Sequence, residues 1–371
     1  MIGAILILLI ASVYGFVVLY YWRAWHSVAE FLPPDEALST TISVIIPARN
    51  EEAGIGTLLL SLEAQTYPKE LFEIIVVDDH STDRTAEVVK TFPSVKLISL
   101  QLEGLNSYKK KALETGIAQA AYSLIVTTDA DCTVLPDWLG TIAAYKEKTN
   151  AAFIAAPVRM TATGSVLETF QAMDFMILQG ITGAVASRKQ MSMCNGANLA
   201  YEKTVFNAVG GFAGIDEIAS GDDMLLMYKI SRMYPSRVHY MKATSAVVTT
   251  APMHTWKAFL QQRIRWASKA TRYEDKRILP VLLLVYLFNL SFLVMAVAGW
   301  WSPVYWILLI SLLVFKTLAE LPLFLSLNSF FRTGWTAVLF FFFQPMHIIY
   351  TIISGLFGQF GKYQWKGRTV K

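Results

Sequence analysis

From Ile2 to Trp22 the chain carries no charged side chain. The run is long enough to cross a hydrocarbon core of about 30 Å as a helix, so it reads as a membrane span. A secretory signal would show a basic start, a shorter apolar stretch and a small-residue cleavage site; this run begins Met-Ile-Gly-Ala. Three further apolar segments, Leu279 to Trp300, Val304 to Leu327 and Trp335 to Phe357, close the chain, and Trp300, Trp301, Tyr305 and Trp306 gather where the first two meet. Aromatic rings collect at membrane surfaces in this way. The four segments explain why 54% of the residues are hydrophobic and only 16% charged, well away from an ordinary soluble enzyme.

Between the anchors the polarity is normal. The expected organisation is an N-terminal span and linker over 1–40, a globular domain over 41–277 and a region of about three spans over 278–371. Pro33 and Pro34 in the linker end the helix that leaves the membrane. Basic residues beside the spans, Arg23 after the first and Lys269, Arg272, Lys276 and Arg277 before the second, place the domain in the cytoplasm of a cell with this protein in its plasma or inner membrane. Three closing spans then put Lys362, Lys366, Arg368 and Lys371 on the far side, against that rule; a re-entrant segment or a tail along the interface would remove the conflict. The net charge of +4 lies beside membrane segments, which points to anionic lipid headgroups and not to nucleic acid. Cys132 and Cys194 fit no zinc-site spacing and are expected to serve packing.

Within the central region, short β-branched runs start at Ile42, Glu73, Val95 and Ser123 and are separated by stretches of helical character: Glu51 to Gln65, Asp83 to Thr91, Ser107 to Ala121 and Asp137 to Lys148. This alternation predicts an α/β fold, a mostly parallel sheet wrapped by helices. Ligands of such sheets gather at the carboxyl ends of the strands. There the sequence places Pro47-Ala48-Arg49-Asn50-Glu51, then Asp78-Asp79 followed by Ser81, Thr82 and Asp83 as candidate helix starts, then Asp129-Ala130-Asp131.

No G-x-G-x-x-G or G-x-x-x-x-G-K-[ST] follows the first strand, which removes the dehydrogenase and P-loop classes. Taken alone, the Pro47 turn and the Asp78 pair read equally well as helix caps. Asp129 and Asp131 are different, because two carboxylates aimed at one cleft edge repel unless a cation or donors compensate. Hard oxygen ligands in low number suit Mg²⁺ or Mn²⁺ sharing its shell with phosphate oxygens. A third acidic pair, Asp222-Asp223, opens a helix expected to end near Arg232. Gln262, Arg265 and Trp266 form a Q-x-x-R-W unit on an amphipathic segment suited to the headgroup layer.

The ordered set of Pro47 to Glu51, Asp78-Asp79, Lys109, Asp129-x-Asp131, Gly196-Ala197-Asn198, Asp222-Asp223 and Gln262-x-x-Arg265-Trp266 resembles the membrane-bound family 2 glycosyltransferases. That family includes the cellulose, hyaluronan, chitin and poly-N-acetylglucosamine synthases and ceramide glucosyltransferase. The resemblance implies a GT-A-like fold. It implies that Pro47, Ala48, Arg49, Glu51, Asp78, Asp79 and Lys109 contact the nucleotide, and that Asp129 and Asp131 bind the sugar nucleotide and its metal. It further implies that Asp223 is the general base and that Gln262, Arg265 and Trp266, with Asp222, serve the diphosphate and the acceptor. Two positions depart from the family pattern. Asp222 stands where the motif usually has Glu, and Tyr108 stands where Gly often precedes the lysine, with Lys110 and Lys111 as substitutes for Lys109.

The chemistry implied is removal of a proton from an acceptor hydroxyl by Asp223 during in-line attack on the anomeric carbon, with inversion. Charge then builds on the departing diphosphate, where Arg265 and a metal at Asp131 would stabilise it. The resemblance leads to a nucleotide-sugar donor, expected to be UDP-linked, and to a growing β-linked polysaccharide as acceptor. Transfer of one sugar to a membrane lipid is the alternative, followed by a non-catalytic nucleotide-sugar-binding membrane protein; an accessory subunit is left open. Paired carboxylates also serve glycoside hydrolysis, but a hydrolase has no use for the nucleotide turn. Lys316 and Glu320, four residues apart in a closing span, are expected to pair on one helical face.

Overall fold

The computed structural model describes residues 2–102, 105, 107–190, 193–218, 221–268, 275–359, 363–365 and 368–370. Lys269, Arg272, Lys362, Lys366 and Lys371, used above to argue orientation, lie outside the described residues. In chain order the elements are α1 (Ile2–Ser27), β1 (Ile42–Ala48), α2 (Ile55–Glu63), β2 (Phe72–Asp78), α3 (Thr85–Lys90), β3 (Val95–Ser99), α4 (Tyr108–Ala118), β4 (Leu124–Thr127), β5 (Cys132–Thr133), α5 (Trp138–Thr149), β6 (Phe153–Ala155) and β7 (Val158–Met160). There follow α6 (Val166–Ser187), β8 (Leu199–Glu202), α7 (Lys203–Ala208), α8 (Met224–Met233), β9 (Val238–Tyr240), β10 (Val248–Thr250), α9 (Trp256–Ala267), α10 (Ile278–Ala298), α11 (Val304–Phe331), α12 (Ala337–Phe357), β11 (Tyr363–Trp365) and β12 (Arg368–Val370).

The chain divides into two compact units, one of Ala29–Thr161, Ala186–Ala251 and Lys362–Lys371, the other of Met1–Val28, Ala162–Val185 and Pro252–Gly361. The first is built on a seven-stranded sheet of order β3-β2-β1-β4-β8-β6-β9. Its pairs β1–β2, β2–β3, β1–β4 and β6–β9 are parallel, and β8 alone runs antiparallel to its neighbours β4 and β6. The sheet is mostly parallel, as the alternation predicts. The apolar run of β1 follows from its central place: Ile42, Val44, Ile45 and Ile46 are fully buried, because helices cover both faces. β3 is an edge strand, and its Lys96 and Ser99 reach solvent. A small sheet, β5-β10-β7, stands beside the turn that ends β4.

Two helices start later than the sequence predicts. α2 begins at Ile55, not Glu51, because Asn50 turns the chain with a φ of 51° and Glu51 accepts the backbone N–H bonds of Gly54 and Ile55. α3 begins at Thr85, not at Ser81, Thr82 or Asp83; the Asp83 carboxylate accepts from Thr85 N at 3.0 Å and folds the segment before it into a turn. Short polar side chains compete with helix in this way by bonding the backbone two residues on.

In the second unit, among the described residues, four helices are long and apolar enough to cross a membrane: Gly3–Ser27, Ile278–Ala298, Val304–Phe331 and Ala337–Phe357. Ala11, Tyr14 and Val18 of α1 pack with Phe288, Phe292 and Met295 of α10, Leu312 of α11 and Ile348 of α12. Trp300 and Trp301 are exposed at the α10–α11 turn. Lys316 and Glu320 pair at 2.6 Å on α11. The side chains that complete this cluster come from other helices: the Lys316 ammonium donates to Gln344 Oε1 at 2.6 Å, Gln344 Nε2 donates to Glu320 at 2.7 Å, and the Tyr14 hydroxyl donates to Glu320. A buried charge in lipid demands such partners.

Candidate functional site

Parallel pairing brings the ends of β1, β2 and β4 side by side. Pro47 stands opposite Val77 and Ala48 opposite Asp78, and Asp79 N donates to Ala48 O at 2.8 Å. The turns that follow these strands are laced together. The Arg49 guanidinium donates to the carbonyls of Asp79 and His80 at 2.7 and 3.0 Å, Asn50 N to Ser81 Oγ at 2.9 Å, Thr82 N to Asn50 Oδ1 at 2.8 Å, and Glu51 N to Thr85 Oγ1 at 2.8 Å. Asn50 and His80 sit at φ 51° and 54°, a left-handed geometry that Asn and His reach more readily than most residues. Arg49 therefore shapes the Asp78-Asp79 turn. Asp79 is buried, its carboxylate 3.0 Å from His80 Nδ1 and 4.0 Å from Arg49 Nη1, and Asp78 accepts from Ser81 N at 3.3 Å.

Asp129 and Asp131 follow β4 in a tight turn closed by Cys132 N donating to Asp129 O at 3.1 Å. β5 starts at the next residue and pairs with β10, so Thr250 lies opposite Cys132 and its hydroxyl stands 3.5 Å from Asp131 Oδ2. Gly54 presses on the same turn, where a Cβ would lie 3.2 Å from Asp131 Cα. Asp131 is exposed and Asp129 half-buried. Burial, then the charges of Asp131 and Asp129, hold the Cys132 thiol well above its usual pKa, which keeps it a protonated packing group.

The side chain that joins this turn to the third acidic pair is Lys109, in the first turn of α4. Its ammonium lies 2.7 Å from Asp129 Oδ1 and 3.1 Å from Asp222 Oδ2. Burial opposes the charge, but the carboxylates of Asp129 and Asp222, and Asp223 beyond them, outweigh it and hold the pKa well above the ordinary lysine range. Lys110 and Lys111 do not share this place. Lys110 is buried and donates to the carbonyls of Ile215 and Ile218, while Lys111 faces Glu114 at 3.3 Å. Helical geometry separates the three, since successive residues turn by about 100°.

Asp223 is the N-cap of α8, its Oδ1 accepting from Met224 N at 2.7 Å, and α8 ends at Met233, beside Arg232. Gly196 sits against this group. A Cβ there would lie 3.1 Å from Asp222 Oδ2, 3.3 Å from Lys109 Nζ and 3.6 Å from Asp223 Cβ. Asn198, two residues on, is fully buried. It donates to the carbonyls of Pro157 and Ala246 at 2.8 and 2.7 Å and accepts from Trp138 Nε1 at 3.1 Å, so it holds the scaffold.

Gln262, Arg265 and Trp266 lie on α9, which belongs to the unit of membrane-length helices. All three are partly buried, and the ring of Trp266 is 4.4 Å below the guanidinium of Arg263. Arg263 itself escaped sequence reading, because a basic residue on an amphipathic segment reads as a solvated one; it is buried and paired with Asp174 of α6 at 2.8 Å. The available signal was an acid, Asp174, in the middle of a largely apolar helix.

Carboxylates of distant segments converging on one lysine at the strand ends of a mostly parallel sheet define a GT-A-like fold. The mannosyltransferase PcManGT from Pyrobaculum calidifontis, solved in complex with GDP-Man and Mn²⁺, shares it: TM-score 0.58 and 20% identity, covering 95% of this chain and 97% of that one. Residues 43–210 match the Glycosyl transferase family 2 domain, and the chain carries that domain. The probable glycosyltransferase YdaM of Bacillus subtilis is 28% identical over 235 residues, 61% of this chain and 54% of the relative. Poly-beta-1,6-N-acetyl-D-glucosamine synthase of Staphylococcus epidermidis is 25% identical over 231 residues, 61% of this chain and 53% of the relative. The matches thus span about half the length of these relatives.

Proposed function

We propose that the protein is an inverting, membrane-held glycosyltransferase that moves a sugar from a nucleotide sugar, UDP-linked in the expected case, to a growing β-linked polysaccharide. The observation that carries the reading is the bridge from Lys109 to Asp129 and Asp222, because it gathers motifs that lie far apart in the chain. In this reading the cross-laced turns of Pro47 to Glu51 and Asp78-Asp79 receive base and ribose. Lys109 neutralises the carboxylates that meet the donor. Asp223 takes the proton of the acceptor hydroxyl through a carboxylate fixed by its bond to Met224 N. Gln262, Arg265 and Trp266 are assigned to the diphosphate and acceptor on the strength of the motif.

Among the described residues no three His, Cys, Asp or Glu side chains are grouped to hold a metal by themselves. The donor set fits an ion that arrives with its nucleotide, since Mg²⁺ is commonly bound through one or two carboxylates plus substrate phosphates. Asp131, with Asp129, would hold Mg²⁺ or Mn²⁺. Bound there, the ion would neutralise charge on the diphosphate.

The apolar helices make this a multi-pass protein in the proposed arrangement, with the catalytic domain on the cytoplasmic side beside Arg23, Lys276 and Arg277. The test is to offer detergent-purified protein a panel of labelled nucleotide sugars with Mg²⁺ or Mn²⁺, with and without chelator, and to size the product. A long polymer supports the reading, and a single-sugar glycolipid replaces the acceptor. Silence with every donor leaves a binding protein in its place.

Gly196→Ala is a milder probe. The added methyl must push Asp222 or Lys109 aside, and displacement by a fraction of an ångström to an ångström is expected to lower turnover by about tenfold to 10²-fold. The unfolding temperature should stay near that of the parent. Unchanged turnover would mean that the bridge has no part in the reaction.

A further inference from the structure

We propose that Arg263 and Asp174 are positioning residues for the transfer reaction, acting by fixing the rotation of α9 and with it the ring of Trp266. The inference rests on the glycosyltransferase reading, and it concerns one of the two variable places of Q-x-x-R-W together with a residue outside every motif.

The side chains of Arg263 and Asp174 are 3% and 5% exposed, and their closest N···O distance is 2.8 Å. The other carboxylate oxygen of Asp174 accepts from the Tyr350 hydroxyl of α12 at 2.6 Å, and His347 Nε2 stands 4.0 Å from it. The guanidinium lies over three rings, Trp266 at 4.4 Å, Phe259 at 5.0 Å and Tyr350 at 5.8 Å from their centroids. Nε, Nη1 and Nη2 of Arg263 and Oδ2 of Asp174 are buried without a hydrogen bond of good geometry among the described residues, so the pair is held by charge. Asp174 and the aromatic faces are therefore what hold this charge, and a guanidinium cannot relieve its burial by losing a proton.

Geometry couples that requirement to the motif. Trp266 is three residues after Arg263, so the two share a helical face, and the ring also packs against Phe175 of α6, with centroids 6.1 Å apart. Without Asp174, Arg263 must seek water. On a rigid helix such a rotation carries Gln262, Arg265 and Trp266 through the same angle. Motif residues on α9 thus depend on a buried ion pair for their aim.

The test uses the full chain in detergent with three variants: Asp174→Asn, Arg263→Lys and the charge-free double Arg263→Met/Asp174→Asn. Turnover is read together with the donor KM. The environment of Trp266 is read from the fluorine resonance of 5-fluorotryptophan, assigned with Trp266→Phe. We expect Asp174→Asn and Arg263→Lys to lower kcat about tenfold or more, to leave the donor KM within about twofold, and to shift the resonance of Trp266, with that of Trp256 on the same helix, while the other tryptophans stay in place. The double variant should regain thermal stability and keep the low kcat and the shifted resonance. Recovery of kcat together with stability, or a Trp266 resonance that stays in place, would overturn the proposal by making the pair purely structural. Should Asp174→Asn fail to fold, the double variant decides. Should the parent transfer no sugar from any donor, the glycosyltransferase reading fails, and the resonance still decides whether the pair orients Trp266.

Discussion

Asp223→Asn is expected to lower kcat by about 10²-fold to 10⁴-fold, the range lost with a general base, while the fold and the donor affinity stay as they are. The substitution separates the two jobs of this residue. Asp223 caps α8 by accepting from Met224 N, and Asn caps a helix as well as Asp does, so the helix start survives. The amide has no basic oxygen for an acceptor proton. Nucleoside diphosphate release and nucleotide binding, measured on the same preparation, check the result. Full activity would remove Asp223 from the chemistry and leave it a cap; loss of nucleotide binding along with turnover would make the residue part of donor recognition. Asp222→Asn should do something different. It breaks one arm of the Lys109 bridge and leaves the base in place, so a smaller loss of turnover is expected.

Lys109→Met is expected to destabilise the protein by about 3 kcal/mol, the low end for breaking a buried pair, because the lysine side chain is 22% exposed. Three carboxylates, of Asp129, Asp222 and Asp223, then face each other without their cation. Adding Asp222→Asn should recover most of the loss. The pH dependence has a definite sign. The folded state raises the Lys109 pKa, so the stabilisation is fully present below the unfolded lysine value of about 10.4 and disappears as pH rises through the higher folded value. The deficit of Lys109→Met should therefore be level up to about pH 9 and should fade as pH rises through the folded lysine value. Thermal unfolding in detergent across that range measures it. A variant as stable as the parent at pH 7 would show that the bridge is an incidental surface contact.

Much of this was legible in the chain because local chemistry carries it. The four membrane-length helices follow from uncharged runs, and the central strands from β-branched runs buried on both faces. The acids at strand ends follow from the rule that parallel sheets collect ligands there. Helix starts were less legible. Residues 51–54 and 81–84 hold good helix formers and good caps, and bonds between the two turns, made by Arg49, Asn50 and Asp83, decide between them. Choosing among Lys109, Lys110 and Lys111 was likewise beyond composition, because identical side chains differ only in the direction that α4 gives each. α6 passed unseen. Its Asp174 acquires meaning only beside Arg263 and Tyr350.

The sequence by itself determined which segments are apolar enough for a membrane, the alternation that makes a parallel sheet, and which residue types stand at the strand ends. Each depends on side chains within a few positions of one another, where transfer free energies and backbone preferences act directly. Only the tertiary structure decided that Lys109 spans Asp129 and Asp222, that Asp223 caps α8, and that Arg263 is buried on Asp174. The Lys109 and Arg263 contacts join residues about 20 or more positions apart, and the cap, though local, is one of two adjacent acids that the chain offered. Their energies come from the charge that each group meets in a shared, partly dry space, and no local pattern encodes that meeting.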